Sequence, residues 1–177
     1  MREGRLTVIA GPMFAGKTTA LLDRVDEAVK NGFDVGVYKP TLDTRHAQAE
    51  VVSHDGRRHP AQWIAPNLST LLKSADVVAI DEAQFLSEEA IEIALGLVGQ
   101  GCSVILAGLD LTWKGTPFGH LPSFMAFADK VVKLRARCAC GKSACRSYRL
   151  VRSEETVLVG GVGMYEPRCL PCFQSGG

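Results

Sequence analysis

No stretch of this 177-residue chain approaches the roughly 20 consecutive apolar residues that a membrane-spanning helix needs. Charge of one sign is lacking as well. Twenty Lys plus Arg stand against 19 Asp plus Glu, a net of +1, so there is no electrostatic footprint for nucleic acid or an anionic membrane, and the expected ligand is small. Internal repeats and low-complexity linkers are absent, and Met1-Arg2-Glu3-Gly4 runs directly into an apolar run, which makes the cytoplasm the expected location. Cysteine is missing until Cys102. Five of the six cysteines, Cys138, Cys140, Cys145, Cys169 and Cys172, then crowd into the last forty residues. That asymmetry asks for a metal rather than disulfides, and reduced thiols fit the same compartment. What is present, 46% hydrophobic and 22% charged residues, is enough to bury the core of one ordinary domain with a small appendage.

The most specific segment is Gly11-Pro12-Met13-Phe14-Ala15-Gly16-Lys17-Thr18, which fits GxxxxGK[ST]. An apolar run over 6–10 reads as a buried strand before it. Residues 18–29 read as a helix after it, with Leu21, Leu22, Val25 and Val29 on one face. Strand, glycine loop and helix make a cradle for a triphosphate. Backbone N–H groups and the positive helix end face the phosphates, Lys17 reaches the outer ones, and the Thr18 hydroxyl can ligate Mg²⁺.

Further strands are expected over 33–38, 77–81, 104–108 and 130–134, with helices over 68–73 and 87–97. Strands alternating with helices predict an α/β fold: a mostly parallel sheet covered by helices. The stretch 41–66 shows little periodicity and reads as a long irregular loop holding His46, His54 and His59. Beyond about Leu134 the composition turns to cysteine, arginine and glycine. The expected division is therefore a P-loop domain over 1–134 and a small module over 135–177.

A phosphate loop alone does not choose between a nucleotidase, a kinase and a switch. The strand ending in Asp81-Glu82 narrows the choice, because an acid at the end of a neighbouring strand approaches the loop's Mg²⁺. Asp81 takes that part. Glu82, one residue on, points elsewhere if the pleat continues, and can face a second substrate as a general base. A solvated charge at a helix entry is the plainer alternative for Glu82.

These residues resemble the type II thymidine kinases. The loop is similar to that family's GPMFxGK[ST], and Asp81-Glu82-Ala83-Gln84-Phe85 resembles its DE[AG]QF segment. Lys39-Pro40 with Asp43-Thr44-Arg45, Gly108-Leu109-Asp110 with Pro117-Phe118-Gly119, and Gly160-Gly161 followed by Tyr165 and Cys169-x-x-Cys172 fall in the same order. The resemblance covers nearly the whole chain. It implies phosphoryl transfer from ATP to the 5′-hydroxyl of thymidine, with Glu82 as base, Arg45 beside the transferred phosphoryl group and Asp43 as a positioning or metal-binding partner. Gly11 to Thr18, Asp81 and Gln84 fall on the ATP–Mg²⁺ side. Met13, Phe85, Leu109, Trp113, Phe118 and Tyr165 would line the base, with Ser147 near it and Thr156, Val157, Leu158, Val159 and Gly160 closing over it through backbone groups. A homotetramer and feedback by thymidine triphosphate are also implied. Trp113 departs from the usual phenylalanine, and His46 from the usual tyrosine.

Four thiolates around a zinc ion make a closed structural site. Cys169-x-x-Cys172 is a well-spaced pair, whereas Cys138-Ala139-Cys140 has a single intervening residue and Cys145 is a possible substitute. The resemblance implies Cys138, Cys140, Cys169 and Cys172. Cys102 reads as a buried thiol before a core strand. Two other functions compete: a nucleotide-driven switch whose cysteine module grips DNA or a protein, and a P-loop kinase for another small hydroxyl acceptor.

Overall fold

The first apolar run, Leu6–Ala10 (β1), alternates its faces as a strand must: Leu6, Val8 and Ala10 enter one core cluster and Ile9 the other. In the computed structural model, which describes residues 3–41, 50–53, 56–71, 75–151 and 163–176, the chain continues through α1 (Lys17–Lys30), β2 (Val35–Pro40), β3 (Glu50–Val52), β4 (Arg58–Pro60), β5 (Gln62–Ile64) and β6 (Val77–Ile80). A single 3₁₀ turn, Ala83–Phe85, precedes α2 (Glu89–Gly99), β7 (Ser103–Gly108), α3 (Leu121–Phe127) and β8 (Lys130–Lys133). Six strands form one sheet in the order β5-β2-β6-β7-β1-β8, and every pairing in it is parallel.

A parallel sheet must be covered on both faces. On one side α1 buries Leu21, Leu22, Val25 and Ala28 against Ile9, Ala79 and Ile105; on the other, α2 and α3 deliver Ala90, Ile91, Ala94, Leu97, Leu121 and Phe124 against Leu6, Val8, Val78 and Leu106. Each large side chain so buried stabilises the fold by about 1.5–3 kcal/mol relative to exposure. All strands of the sheet run the same way, so the turns after β1, β6 and β7 emerge at one edge, where ligands of open α/β sheets bind.

Three expectations are corrected. Val29 is 55% exposed, and Ala28 takes the buried place, because three residues after Val25 fits the face better here than four. The described part of 68–73 is not helical: Leu68 is buried with φ +58°, a left-handed conformation that turns the chain instead of propagating a helix. The stretch 41–66 is not wholly irregular. β3 and β4 pair as an antiparallel hairpin, and β5 adds a parallel edge to β2 with Tyr38 opposite Gln62 and Pro40 opposite Ile64. Arg57, in the turn that joins β3 to β4, donates to the Thr19 carbonyl (3.1 Å) and Asp23 (2.8 Å), pinning the hairpin to α1.

After β8 come β9 (Ala136–Arg137), β10 (Ser143–Ala144), β11 (Arg146–Arg149), β12 (Tyr165–Arg168) and α4 (Leu170–Gln174). They pair as two antiparallel ribbons, β9 with β10 and β11 with β12, around a small cluster of Cys138, Ala144 and Cys169. Among the described residues no helix is long and apolar enough to cross a membrane.

Candidate active site

The phosphate loop is shaped by what its glycines permit. A Cβ on Gly11 would lie 2.6 Å from the Leu134 carbonyl oxygen, so only glycine lets β1 leave the sheet this close to the end of β8. Gly16 caps α1 with φ +78°, and Phe14 also takes a positive φ of 63°. Gly16 offers α1 no side-chain cap, and the N-terminal end of a helix is a place where an anion can bind. Lys17 begins the helix and folds back over the loop, its Nζ donating to the Pro12 carbonyl at 2.8 Å.

Thr18 and Asp81, far apart in sequence, meet here. The Thr18 hydroxyl donates to Asp81 Oδ2 at 3.1 Å, and Asp81 is buried at the end of β6. Two oxygen donors in this relation suit a hard divalent cation. Glu82 is not aimed by a continuing pleat, because β6 stops at Ile80. The residue adopts φ 55°, ψ 38°, a left-handed turn that swings its side chain away from the strand line. Gln84, buried in the following turn, donates from Nε2 to Glu82 Oε2 at 2.5 Å and accepts from the Leu109 N–H at 3.0 Å.

Leu109 opens the loop after β7, and this loop also carries Trp113 and Phe118. Phe118 packs edge-on against Phe85, with ring centroids 5.8 Å apart. Trp113 lies under the guanidinium of Arg149, 4.3 Å from the ring centroid; Arg149 also lies 5.5 Å from the Tyr165 ring centroid and donates to the Tyr165 hydroxyl at 3.1 Å. The Trp113 indole N–H is buried with no partner among the described residues. Asp110, buried, pairs with Lys133 at 2.8 Å and so ties the loop to β8. Ser147 and Arg149, two apart on β11, share the face that is buried, and the Ser147 Oγ accepts from the Met13 N–H at 2.9 Å. The strand after the cysteine turn therefore reaches the phosphate loop itself.

The sulfurs of Cys138, Cys140, Cys169 and Cys172 all lie within 4.8 Å of one another, with Cys140 at 3.4 Å from Cys138 and 3.6 Å from Cys169. A tetrahedral site with metal–sulfur bonds of about 2.3 Å needs sulfurs about 3.8 Å apart, so the four can hold one metal ion. Among the described residues this is the one such group, and Cys145 is not in it. The tight turn that makes one intervening residue sufficient is visible: Cys138 N–H donates to the Lys142 carbonyl, and Gly141 takes φ +85°. Hydrogen bonds from the Cys169 and Cys140 backbones pull the Cys138 thiol down to about 6, while hydrogen bonding to the thiols of Cys169, Cys140 and Cys138 pushes Cys172 up to about 12. At neutral pH the group therefore holds a thiolate ready to ligate. Cys102 is buried, as its place before a core strand suggests.

Asp43, Arg45, Thr156, Val157, Leu158, Val159 and Gly160 lie outside the described residues. Arg149 was missed as a site residue by sequence reasoning, although its alternation with Ser147 was the available signal. The housing of Gln84 had none, because it depends on a backbone contact 25 residues away.

A parallel sheet with a glycine loop after its first strand, an acid at the end of β6 hydrogen-bonded to the loop threonine, and a second carboxylate one residue on that is held by Gln84 is the arrangement of a P-loop enzyme acting on a nucleotide. Comparison narrows the class. A family model described as thymidine kinase matches residues 4–173. The chain is 43% identical to a thymidine kinase of Bacteroides fragilis over 98% of its own length and 88% of the relative's. It is 40% identical to one of Porphyromonas gingivalis over 98% and 87%, and 43% identical to one of Rhodothermus sp. over 97% and 82%. This chain belongs to the thymidine kinase family.

Proposed function

We propose that the chain transfers the γ-phosphoryl group of ATP to the 5′-hydroxyl of thymidine, giving thymidine 5′-phosphate. The observation that carries this reading is the paired placement of Asp81 and Glu82: one carboxylate on the loop threonine, the next turned by a left-handed residue towards the side where Gln84 and Leu109 stand. Backbone N–H groups of residues 11–18 and Lys17 bind and orient the triphosphate. Thr18 and Asp81 would hold Mg²⁺, which when bound neutralises charge on the outer phosphates. Glu82 accepts the proton of the 5′-hydroxyl as it attacks. Arg45 stabilises charge on the equatorial oxygens, with Asp43 as its partner in positioning or metal binding.

Met13, Phe85, Leu109, Trp113, Phe118, Tyr165 and Ser147 surround the nucleoside, and the backbone of Thr156, Val157, Leu158, Val159 and Gly160 closes over the base, which fixes a pyrimidine by its donor and acceptor pattern. A structural Zn²⁺ on Cys138, Cys140, Cys169 and Cys172 anchors that closing segment, in a module over 135–177 appended to a kinase domain over 1–134. We further propose a cytoplasmic homotetramer subject to feedback by thymidine triphosphate. A coupled ADP-release assay with thymidine, deoxyuridine, deoxycytidine and no nucleoside tests the central reading. ADP release should depend on thymidine; equal release without nucleoside would instead establish a switch or nucleotidase.

A further inference from the structure

We propose that Gln84 is the positioning residue for the base: its side-chain amide fixes where the Glu82 carboxylate stands and ties that place to the wall of the nucleoside site at Leu109. The inference rests on the reading of Glu82 as base. The left-handed backbone at Glu82 sets the direction in which the side chain leaves the chain, but leaves its own rotatable bonds undecided. Gln84 decides them. Its Oε1 accepts from the Leu109 N–H, so the amide cannot be turned over without setting donor against donor, and the NH₂ must face Glu82 Oε2.

Two glycines approach Gln84 closely, one at its side-chain amide and one at its main chain. A Cβ on Gly108 would lie 2.6 Å from Gln84 Oε1, and one on Gly119, where φ is +51°, would lie 2.3 Å from the Gln84 carbonyl oxygen. Gly108, on the strand before Leu109, thus lets the backbone close on the amide, and Gly119, at the end of the same loop, lets it close on the Gln84 main chain. The result is a chain of contact from the nucleoside loop through one amide to one carboxylate oxygen. A glutamine that only satisfied the Leu109 N–H would need no partner at Nε2 and would leave the base unaffected when changed.

Gln84→Glu keeps the length and the acceptor for Leu109 but replaces the donor facing Glu82 with a second carboxylate. The expected result is a fall in kcat of about 10- to 100-fold, the scale of a misplaced reacting group, with KM for ATP within about twofold of wild type. In a Glu82→Gln background the same substitution should change kcat by less than about twofold, since there is no base left to position. A wild-type kcat in Gln84→Glu, or a loss of equal size in both backgrounds, would overturn the proposal. Gln84→Met, which removes both hydrogen bonds without adding charge, carries the same cycle if Gln84→Glu does not fold; failure of both to fold assigns Gln84 to stability and also overturns it. Wild-type turnover in Glu82→Gln is a different result, removing the base itself whatever Gln84 does.

Discussion

At the phosphate end of the site the working groups are mostly backbone, shaped by Gly11 and Gly16 within eight consecutive residues. At the proposed nucleoside end the candidates among the described residues are side chains delivered by separated segments: Phe85 after β6, Leu109, Trp113 and Phe118 after β7, Ser147 and Arg149 on β11, and Tyr165 on β12. The first kind of site is local, so its shape survives changes elsewhere. The second depends on long-range connections that include Gln84 to Leu109, Asp110 to Lys133, and Ser147 to Met13. Damage to either end should therefore show in the kinetics of one substrate more than the other.

The largest effect is expected where the two ends meet. Glu82→Gln keeps the volume and removes the base, and turnover should fall about 10²–10⁴-fold while thymidine still binds. Steady-state kinetics with a thymidine-binding measurement checks this; turnover near wild type would mean that neither end holds its base at Glu82. Next in size is a pair of glycine substitutions. Gly11→Ala drives a Cβ into the Leu134 carbonyl and should raise KM for ATP about tenfold, whereas Gly119→Ala drives one into the Gln84 carbonyl and should raise KM for thymidine by a similar factor. If both variants moved the same constant, the division between the ends would fail.

This division also explains what was legible in the sequence. The phosphate loop, β1, α1, β6 and β7 are contiguous patterns, and their residues can be read in order. Segments of three residues such as β3, β4 and β5 offer too little alternation to register as strands, and α3 is only seven residues long with Pro122 in its first turn. The expected helix over 68–73 failed on one buried leucine that turns left-handed. At the site, motifs named Thr18, Asp81 and Gln84. They could not say that Gln84 would face a carboxylate instead of water, because that depends on how closely Gly108 and Gly119 approach. Likewise Arg149 looked like one of several arginines until the sheet placed it between two rings.

The cysteine module tests the comparison from outside. Cys169 sits at the start of α4, directly after β12, which carries Tyr165. Cys169→Ser should lower bound zinc from about one per chain and raise KM for thymidine about fivefold, with a smaller change for ATP, because ordering loosened chain on binding costs about 1–2 kcal/mol per residue. Elemental analysis alongside both KM values checks it. A wild-type preparation without zinc and with full thymidine affinity would remove the metal from the account.

The smallest expected effect concerns the hydrogen bond between the phosphate loop and β11 made by Met13 and Ser147. Most loop N–H groups must be available to phosphate, yet the Met13 N–H is taken by the buried Ser147 hydroxyl at 2.9 Å. Ser147→Ala deletes this acceptor with little change in volume and leaves a part-buried donor, a net cost of about 0.5–1.5 kcal/mol, or roughly two- to tenfold in an equilibrium. Because β11 is seated by pairing with β12, next to the clustered cysteines, the bond should matter only while that module is held in place. Ser147→Ala is therefore expected to raise KM for thymidine a few-fold in the zinc-bound enzyme and to add nothing to Cys169→Ser. Ser147→Thr, which keeps the hydroxyl, should restore most of the loss. Full additivity of Ser147→Ala and Cys169→Ser would mean that the phosphate loop and the cysteine module act on the nucleoside independently, and that the hydrogen bond between them carries no coupling.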